Sequence, residues 1–432
     1  MNYYSLERNS IEVSFKEAVI RGIAPDRGLY FPEHIRPLRS SFFRDINTLS
    51  NEEIAFRAMR QFVSPEIPEK ILRKILAKTL DFDFPLVHIE KGVAALELYH
   101  GPTMAFKDVG ARFMAHCLGY FSQDNNKEVT VLVATSGDTG GAVANGFLGV
   151  EGVKVVILYP SGKVSDIQER QLTTLGNNII ALEVDGTFDD CQAMVKSAFL
   201  DDELEGRVRL TSANSINVAR WLPQMIYYFL AYKMMQGKRQ QLVFAVPSGN
   251  FGNICAGMVA QRLGLPVSHF VAATNINDTV PQFMESGKYE PKPSSPTISN
   301  AMDVGDPSNF VRILHLYNDQ LPNLASTFSS YSFTDQMTRE AMADLYQRTG
   351  YIADPHGAVG YLGLKKYRES NPECFGIFLE TAHPIKFRDV VEDTLNTELE
   401  VPKQIKAVLD KDKTSIPVKT YEELRSYLLS VN

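Results

Sequence analysis

Val129-Thr130-Val131-Leu132-Val133-Ala134 runs straight into Thr135-Ser136-Gly137-Asp138-Thr139-Gly140-Gly141 and then into Ala142-Val143-Ala144-Asn145-Gly146-Phe147. The order reads as buried strand, tight turn and helix, because apolar and β-branched residues give way to a Gly/Ser cluster. A helix N-terminus carries unpaired N–H groups and the positive end of the helix dipole, and the glycines and hydroxyls let an anion approach the backbone closely. The plan recurs: Leu242-Val243-Phe244-Ala245-Val246-Pro247 is followed by Ser248-Gly249-Asn250-Phe251-Gly252-Asn253 and another helical stretch. Gly/Ser turns after strands are mostly only turns, so either segment alone assigns no chemistry. Neither matches the P-loop or the dinucleotide fingerprint.

Working outward, apolar strand candidates at 153–158, 179–184, 269–274 and 375–380 join 129–134 and 242–247, separated mostly by segments long enough for crossover helices. That alternation predicts an α/β fold with parallel sheets. Ligands in such sheets sit at the carboxyl ends of strands, where both Gly/Ser turns fall. Residues 1–90 read as helix-rich. Ile54, Ala55, Ala58, Met59 and Phe62 recur at helical spacing within Asn51 to Phe62, and Ile67 to Leu80 continues the pattern after Ser64-Pro65-Glu66-Ile67-Pro68 breaks it. The expected organisation is therefore an N-terminal helix-rich region at 1–90, an α/β domain at 91–240 and a second at 241–432. Lys288 to Pro296 is a Pro/Ser-rich connection, and the charged tail beyond Pro402, with a short helix from Tyr421 to Leu429, is expected to cap the fold. There is no internal repeat or low-complexity segment.

With 432 residues, the chain is long enough for two or three domains and a substantial core. A formal net charge of −7 supplies no basic patch, which argues against nucleic acid and anionic membranes as partners. Anionic ligands must be caught locally. Cys117, Cys191, Cys255 and Cys374 lie far apart, without Cys-x-x-Cys pairing or a nearby His at zinc spacing. Unpaired thiols in a reducing cytoplasm, and no metal site, are the expectation. The opening Met1-Asn2-Tyr3-Tyr4-Ser5 lacks the basic-then-apolar order of a signal peptide, and no run approaches the ~20 apolar residues of a membrane span.

The stretch His100-Gly101-Pro102-Thr103-Met104-Ala105-Phe106-Lys107-Asp108 places one lysine behind an apolar-aromatic pair. Burial beside Ala105 and Phe106 disfavours the ammonium form and leaves a nucleophile able to form a Schiff base. An ordinary lysine at a helix start fits the segment as well. Together with two anion cradles, an activated Lys107 suggests a phosphate-bearing aldehyde cofactor and an anionic substrate.

These segments resemble the threonine synthase family, pyridoxal-phosphate (PLP) enzymes of the tryptophan-synthase β-like fold, fold type II. The resemblance is carried by HGPTMAFKD at 100–108, TSGDTGGAVA at 135–144, SANSIN at 212–217 with Arg220, PSGNFGN at 247–253 and ETAHPIKF at 380–387. ATNINDTVP at 273–281, NAMDVGDPSN at 300–309 and DPHGAVGY at 354–361 extend it, in a form closer to bacterial and fungal members than to plant ones.

The resemblance implies that Lys107 holds PLP and is the base for the substrate's Cα proton, with the cofactor phosphate on Ser248, Gly249, Asn250, Phe251, Gly252 and Asn253. It assigns Thr381 to the pyridine nitrogen, where a hydroxyl does not hold the ring fully protonated as a carboxylate would; strand-end packing for Thr381 and a solvated or paired Glu380 is the other reading. The implied substrate is O-phospho-L-homoserine, and Ser136, Thr139, Asn214, Ser215 and Arg220 are the candidates for its phosphate. Arg220, six residues beyond Asn214, is the one permanent forked cation of that set. Asp138 falls where related fold members often carry Asn near the cofactor's 3′-oxygen. An anionic Asp there is unfavourable unless protonated, turned away or acting as a helix N-cap. For His100, His356 and His383, structural and catalytic roles both remain open, and the reading prefers a monomer. A phospho-lyase releasing 2-oxobutyrate, a β-eliminating dehydratase and a non-catalytic binding module of the same fold are the rival functions.

Overall fold

The computed structural model describes residues 1–123, 128–235 and 241–431. The N-terminal region carries the expected helices, Asn51–Val63 and Glu69–Thr79. Ser50 caps the first by accepting from Glu53 N, and its Ile54, Ala55, Ala58, Met59 and Phe62 are buried, as the periodicity requires. The region also holds a small antiparallel sheet ordered β2-β1-β3, from β1 (Asn2–Ser5), β2 (Val13–Ser14) and β3 (Tyr30–Pro32). Strands of two to four residues are too short to show an alternation, so the helix-rich reading omits them.

Eleven further strands build two larger sheets. In chain order they are β4 (Leu86–Glu90), β5 (Val93–Glu97), β6 (Val129–Ala134), β7 (Val153–Pro160), β8 (Ile179–Val184) and β9 (Leu210–Ser212). Then follow β10 (Leu242–Pro247), β11 (His269–Thr274), β12 (Phe328–Ser332), β13 (Phe375–Glu380) and β14 (Ile416–Val418). One sheet runs β14-β8-β7-β6-β9 and is parallel throughout. The other runs β12-β11-β10-β13-β5-β4 and is parallel except for its β4–β5 edge. The buried faces of β6 and β10 explain their near-continuous apolar sequence, because helices cover both sides of a parallel sheet.

Sheet membership does not follow chain position. β5 lies within 91–240 but pairs with β13, Glu97 opposite Glu380, while β14 from the tail extends the β6–β9 sheet. The tail beyond Pro402 therefore does more than cap the fold. Besides that strand it supplies Ile405 and Leu409 to the wall of a cavity of about 610 Å³ that Val401, Gln168, Thr297 and Phe387 also line. Lys288 to Pro296 has no regular secondary structure, as its prolines dictate.

The crossings bring four carboxyl-end segments together: the turns after β6 and β10, the residue after β13, and the loop leaving β5. That loop is laced to the end of β13, with Leu98 N on Glu380 O (2.9 Å), Phe106 N on Thr381 O (2.8 Å) and His383 N on Met104 O (3.0 Å). It ends at Lys107, first residue of the helix Lys107–Ser122. Gly110 lets this helix touch the next segment, since a Cβ there would sit 2.2 Å from the Arg220 carbonyl oxygen. All four cysteines are buried and unpaired. Among the described residues no helix is long and apolar enough to cross a membrane, and no group of three His, Cys, Asp or Glu could hold a metal ion.

Candidate active site

Lys107 sits half-buried at the helix start, with Nζ 5.8 Å from the Phe106 ring centroid. The turn before it is held by Asp108, which accepts from Thr103 N at 2.9 Å and from Thr103 Oγ1 at 2.5 Å, and Met104 takes a left-handed backbone, φ 59°. Desolvation lowers the Lys107 amine to about 8; Asp138 opposes the shift, and Arg220 and Lys386 reinforce it. At neutral pH a useful fraction of the amine is free of its proton, the condition for a nucleophilic lysine.

After β6, Thr135 Oγ1 accepts from Gly137 N (2.9 Å) and Gly140 N (2.8 Å), folding the turn onto the N-terminus of the helix Asp138–Phe147. Gly137 has φ 137°, and a Cβ there would lie 2.4 Å from the Gln168 side chain. Ser136 and Thr139 keep partial exposure at this helix start. Asn214 reaches the same strand end, its Nδ2 donating to Ala134 O at 3.3 Å. Ser215 Oγ accepts from Asn309 Nδ2 at 3.0 Å. Arg220 lies in the short helix Val218–Trp221 and is only 4% exposed, which rules out the solvated charge that a helical arginine usually is. Its Nε donates to Ala213 O at 2.7 Å and its Nη1 to Lys107 O at 3.2 Å. Burial lowers its pKa to about 10, so it stays a cation at neutral pH.

After β10, Ser248 N donates to Ala273 O and Phe251 turns the chain into the helix Gly252–Arg262 through a left-handed φ of 60°. Gly249 is pressed against the facing loop: a Cβ there would meet Ala301 O at 2.7 Å and Met302 Cα at 2.8 Å. Asn250 Oδ1 accepts from Ser308 N, and its carbonyl accepts from Asn309 N and Nδ2. Asn253 turns its side chain away from the turn, with Oδ1 accepting from Tyr227 Oη (2.6 Å) and Tyr228 Oη (2.8 Å) in the core. Its backbone N–H lies at the helix start, and its Nδ2 is buried without a hydrogen-bond partner.

Asp138 is neither protonated nor the N-cap, which is Gly137. Lys386 Nζ lies 2.6 Å from its Oδ1, and Gln168 Nε2 donates to the same oxygen at 3.0 Å. Burial pushes the carboxyl up, but Lys386 and Lys107, with the Lys386 and Gln168 hydrogen bonds, outweigh it and hold the group well below the usual carboxylate range. Lys386 also donates to Thr103 O at 3.0 Å, tying this pair to the lysine loop.

Three family models divide the chain between them. Threonine synthase N terminus matches residues 2–80, pyridoxal-phosphate dependent enzyme 85–373, and threonine synthase C-terminal 357–428. The chain belongs to the threonine synthase family. It is 44% identical to the threonine synthase of Escherichia coli (strain K12) over 406 residues, 94% of each chain. It superimposes on the crystal structure of the Escherichia coli threonine synthase with a TM-score of 0.93, at 42% identity and full coverage of both chains. The PLP-bound threonine synthase from Brucella melitensis gives 0.94 at 32% identity, covering 100% of this chain and 99% of that one. The chain is thus a PLP-dependent lyase of fold type II.

At the end of β13, Thr381 is buried and anchors the lysine loop through its carbonyl. Glu380 is fully buried, not solvated. Burial and the nearby Asp354 carboxylate push its pKa well above the usual range, and its Oε1 has no hydrogen-bond partner. The three motif histidines have structural partners. His356 Nδ1 bonds Asp354 (2.6 Å) and its Nε2 accepts from Ala301 N (3.2 Å), which assigns the neutral Nδ1–H tautomer. His100 Nε2 meets Glu97 Oε2 at 2.7 Å, and His383 Nδ1 accepts from Ile385 N at 3.1 Å. Four residues at the site were not singled out by sequence: Gln168, Asn309, Arg312 and Lys386. Arg312 is fully buried and grips the Ser215 and Ile216 carbonyls and Tyr30 O, joining the N-terminal sheet to the turn that precedes Arg220. Its only sequence signal was its place three residues past the 300–309 motif.

Proposed function

We propose that this family member converts O-phospho-L-homoserine and water to L-threonine and phosphate, with Lys107 as the residue that holds PLP and moves the Cα proton. The bound cofactor supplies an electron sink for carbanions next to the amino-bearing carbon. Gly249, Asn250, Phe251, Gly252 and Asn253 hold its phosphate through backbone N–H groups at the helix start, and Ser248, whose own N–H is bonded to Ala273 O, fixes the entry of the turn. The fit rests on Gly249, whose missing Cβ keeps the turn against the facing loop, and on the Lys107 amine, which burial lowers to about 8. Thr381 offers the ring nitrogen a hydroxyl, and burial and Asp354 push the pKa of Glu380 behind it well above the usual carboxylate range.

The reaction removes protons from Cα and Cβ, expels phosphate from Cγ, protonates Cγ and adds water at Cβ. Ser136, Thr139, Asn214, Ser215 and Arg220 bind the leaving phosphate. Arg220 spends Nε and Nη1 on main-chain carbonyls, and its Nη2 lies outside both contacts. The observation that carries the reading is this buried cation on the Lys107 carbonyl. A dehydratase of uncharged side chains has no use for it, whereas a departing phosphate does.

A cytoplasmic monomer is part of the proposal. Four buried, unpaired cysteines suit a reducing compartment. Incubating the purified protein with PLP and O-phosphohomoserine and identifying products by mass spectrometry tests the reaction. Threonine with equimolar phosphate supports it; 2-oxobutyrate with ammonia and phosphate replaces it with the phospho-lyase.

A further inference from the structure

PLP brings several negative charges into its site, and the cleft beside Lys107 already contains a carboxylate. Asp138 is 5% exposed and ionised, so alone it would oppose an anionic ligand and hold the Lys107 proton. Lys386 meets it at 2.6 Å, and neither side chain has appreciable contact with solvent. The two residues come from different layers: Asp138 opens the helix after β6, whereas Lys386 follows β13 in the short helix Pro384–Phe387. Both Lys386 and Gln168 donate to Oδ1, so Oδ2 has no share in either bond. The remaining Lys386 contact, Thr103 O, belongs to the turn that Asp108 fixes just before Lys107.

We propose that Lys386 is a positioning residue that cancels the charge of Asp138, so that the pair faces the cofactor as one neutral unit and Lys107 can give up its proton. Breaking a buried pair from one side leaves an uncompensated charge, whereas removing both charges together does not. The charged and titratable groups acting on this unit are Lys107, Arg220, Asp108 and His383, besides the pair itself. Lys386 adds positive potential at Lys107 and Asp138 adds negative potential, so the two partners must move the Lys107 amine in opposite directions.

The inference rests on the cofactor placement proposed above, and the full chain tests both separately. Lys107→Ala comes first: a bound-cofactor spectrum unchanged in that variant overturns the placement itself. With the placement intact, three variants decide the inference: Lys386→Met, Asp138→Asn and the two combined. Two readouts are free of turnover. One is the PLP dissociation constant from equilibrium dialysis. The other is the pH dependence of Lys107 labelling by cyanate in cofactor-free protein, read by peptide mass spectrometry.

Lys386→Met is expected to weaken PLP by about tenfold or more and to move the labelling curve to higher pH. Asp138→Asn moves that curve to lower pH. The double variant returns both readouts close to wild type, a rescue that loss of packing alone does not give. If Lys386→Met does not fold, Asp138→Asn and the double variant still decide. Wild-type readouts in Lys386→Met, or a double variant at least tenfold weaker for PLP than wild type, overturn the role.

Discussion

Arg220 Nη1 donates to the carbonyl of Lys107 across 3.2 Å, so the cation assigned to substrate phosphate and the residue assigned to the cofactor share a direct bond. The contact is to the main chain and leaves the lysine amine free. Gly110 makes it possible by letting the two segments meet without a side chain between them.

Arg220→Ala is therefore expected to raise KM for phosphohomoserine and slow phosphate release, by about 2–4 kcal/mol in kcat/KM for a desolvated charge-assisted contact. PLP binding should persist. Steady-state kinetics with dialysis of the cofactor checks this, and a fall in PLP affinity with unchanged substrate kinetics would exchange the two phosphate sites.

Lys107 gives a pH prediction with a definite sign. Its amine is lowered to about 8, so the nucleophilic form grows as pH rises through that value. Attachment of PLP to cofactor-free protein should accelerate across roughly pH 7–9 and then level off. The linkage runs the same way: below about 8 the folded chain bears the cost of a desolvated ammonium, and that cost is relieved as pH rises toward the unfolded lysine's ~10.4. Stopped-flow absorbance against pH reads the rate. A rate still climbing at pH 10 would mean an unshifted lysine.

Gly249→Ala puts a Cβ 2.7 Å from Ala301 O and 2.8 Å from Met302 Cα, both backbone atoms that cannot swing aside. The turn after β10 must open. PLP affinity should drop by about tenfold or more, with a smaller cost in thermal stability of ~1–3 kcal/mol. Dialysis and thermal unfolding measured together test this, and unaltered affinity would place the phosphate elsewhere.

The six sequence-derived strands match observed ones closely because each is buried on both faces and therefore almost continuously apolar, as at Val129–Ala134 and Phe375–Glu380. β9 and β14, three residues each, carry no such run. Sheet membership was equally hidden, since nothing local in Val93–Glu97 marks Phe375–Glu380 as its partner. At the site, the two turns and the desolvation of Lys107 were legible because the glycines, hydroxyls and apolar neighbours that produce them stand close in sequence. Lys386 was not, because a buried ion pair between residues almost 250 positions apart has no local pattern.

Asn253 has a side chain committed to the core and a backbone at the turn. Its motif position places it in the turn assigned to the cofactor phosphate, while its Oδ1 is occupied by the hydroxyls of Tyr227 and Tyr228, and its carbonyl also accepts from Tyr228. Both tyrosines are fully buried. Asn253→Ala removes the shorter acceptor of both hydroxyls and leaves Tyr228 on the residue 253 carbonyl and Tyr227 on Gln224 Oε1 at 3.4 Å, which should cost about 1–3 kcal/mol of stability. Its backbone N–H is untouched, so the folded variant should bind PLP within about threefold of wild type, under 1 kcal/mol. Denaturant unfolding with dialysis at a temperature where the variant is folded gives both numbers. Normal stability with PLP binding lost would mean that the side chain leaves the tyrosines to hold the phosphate itself.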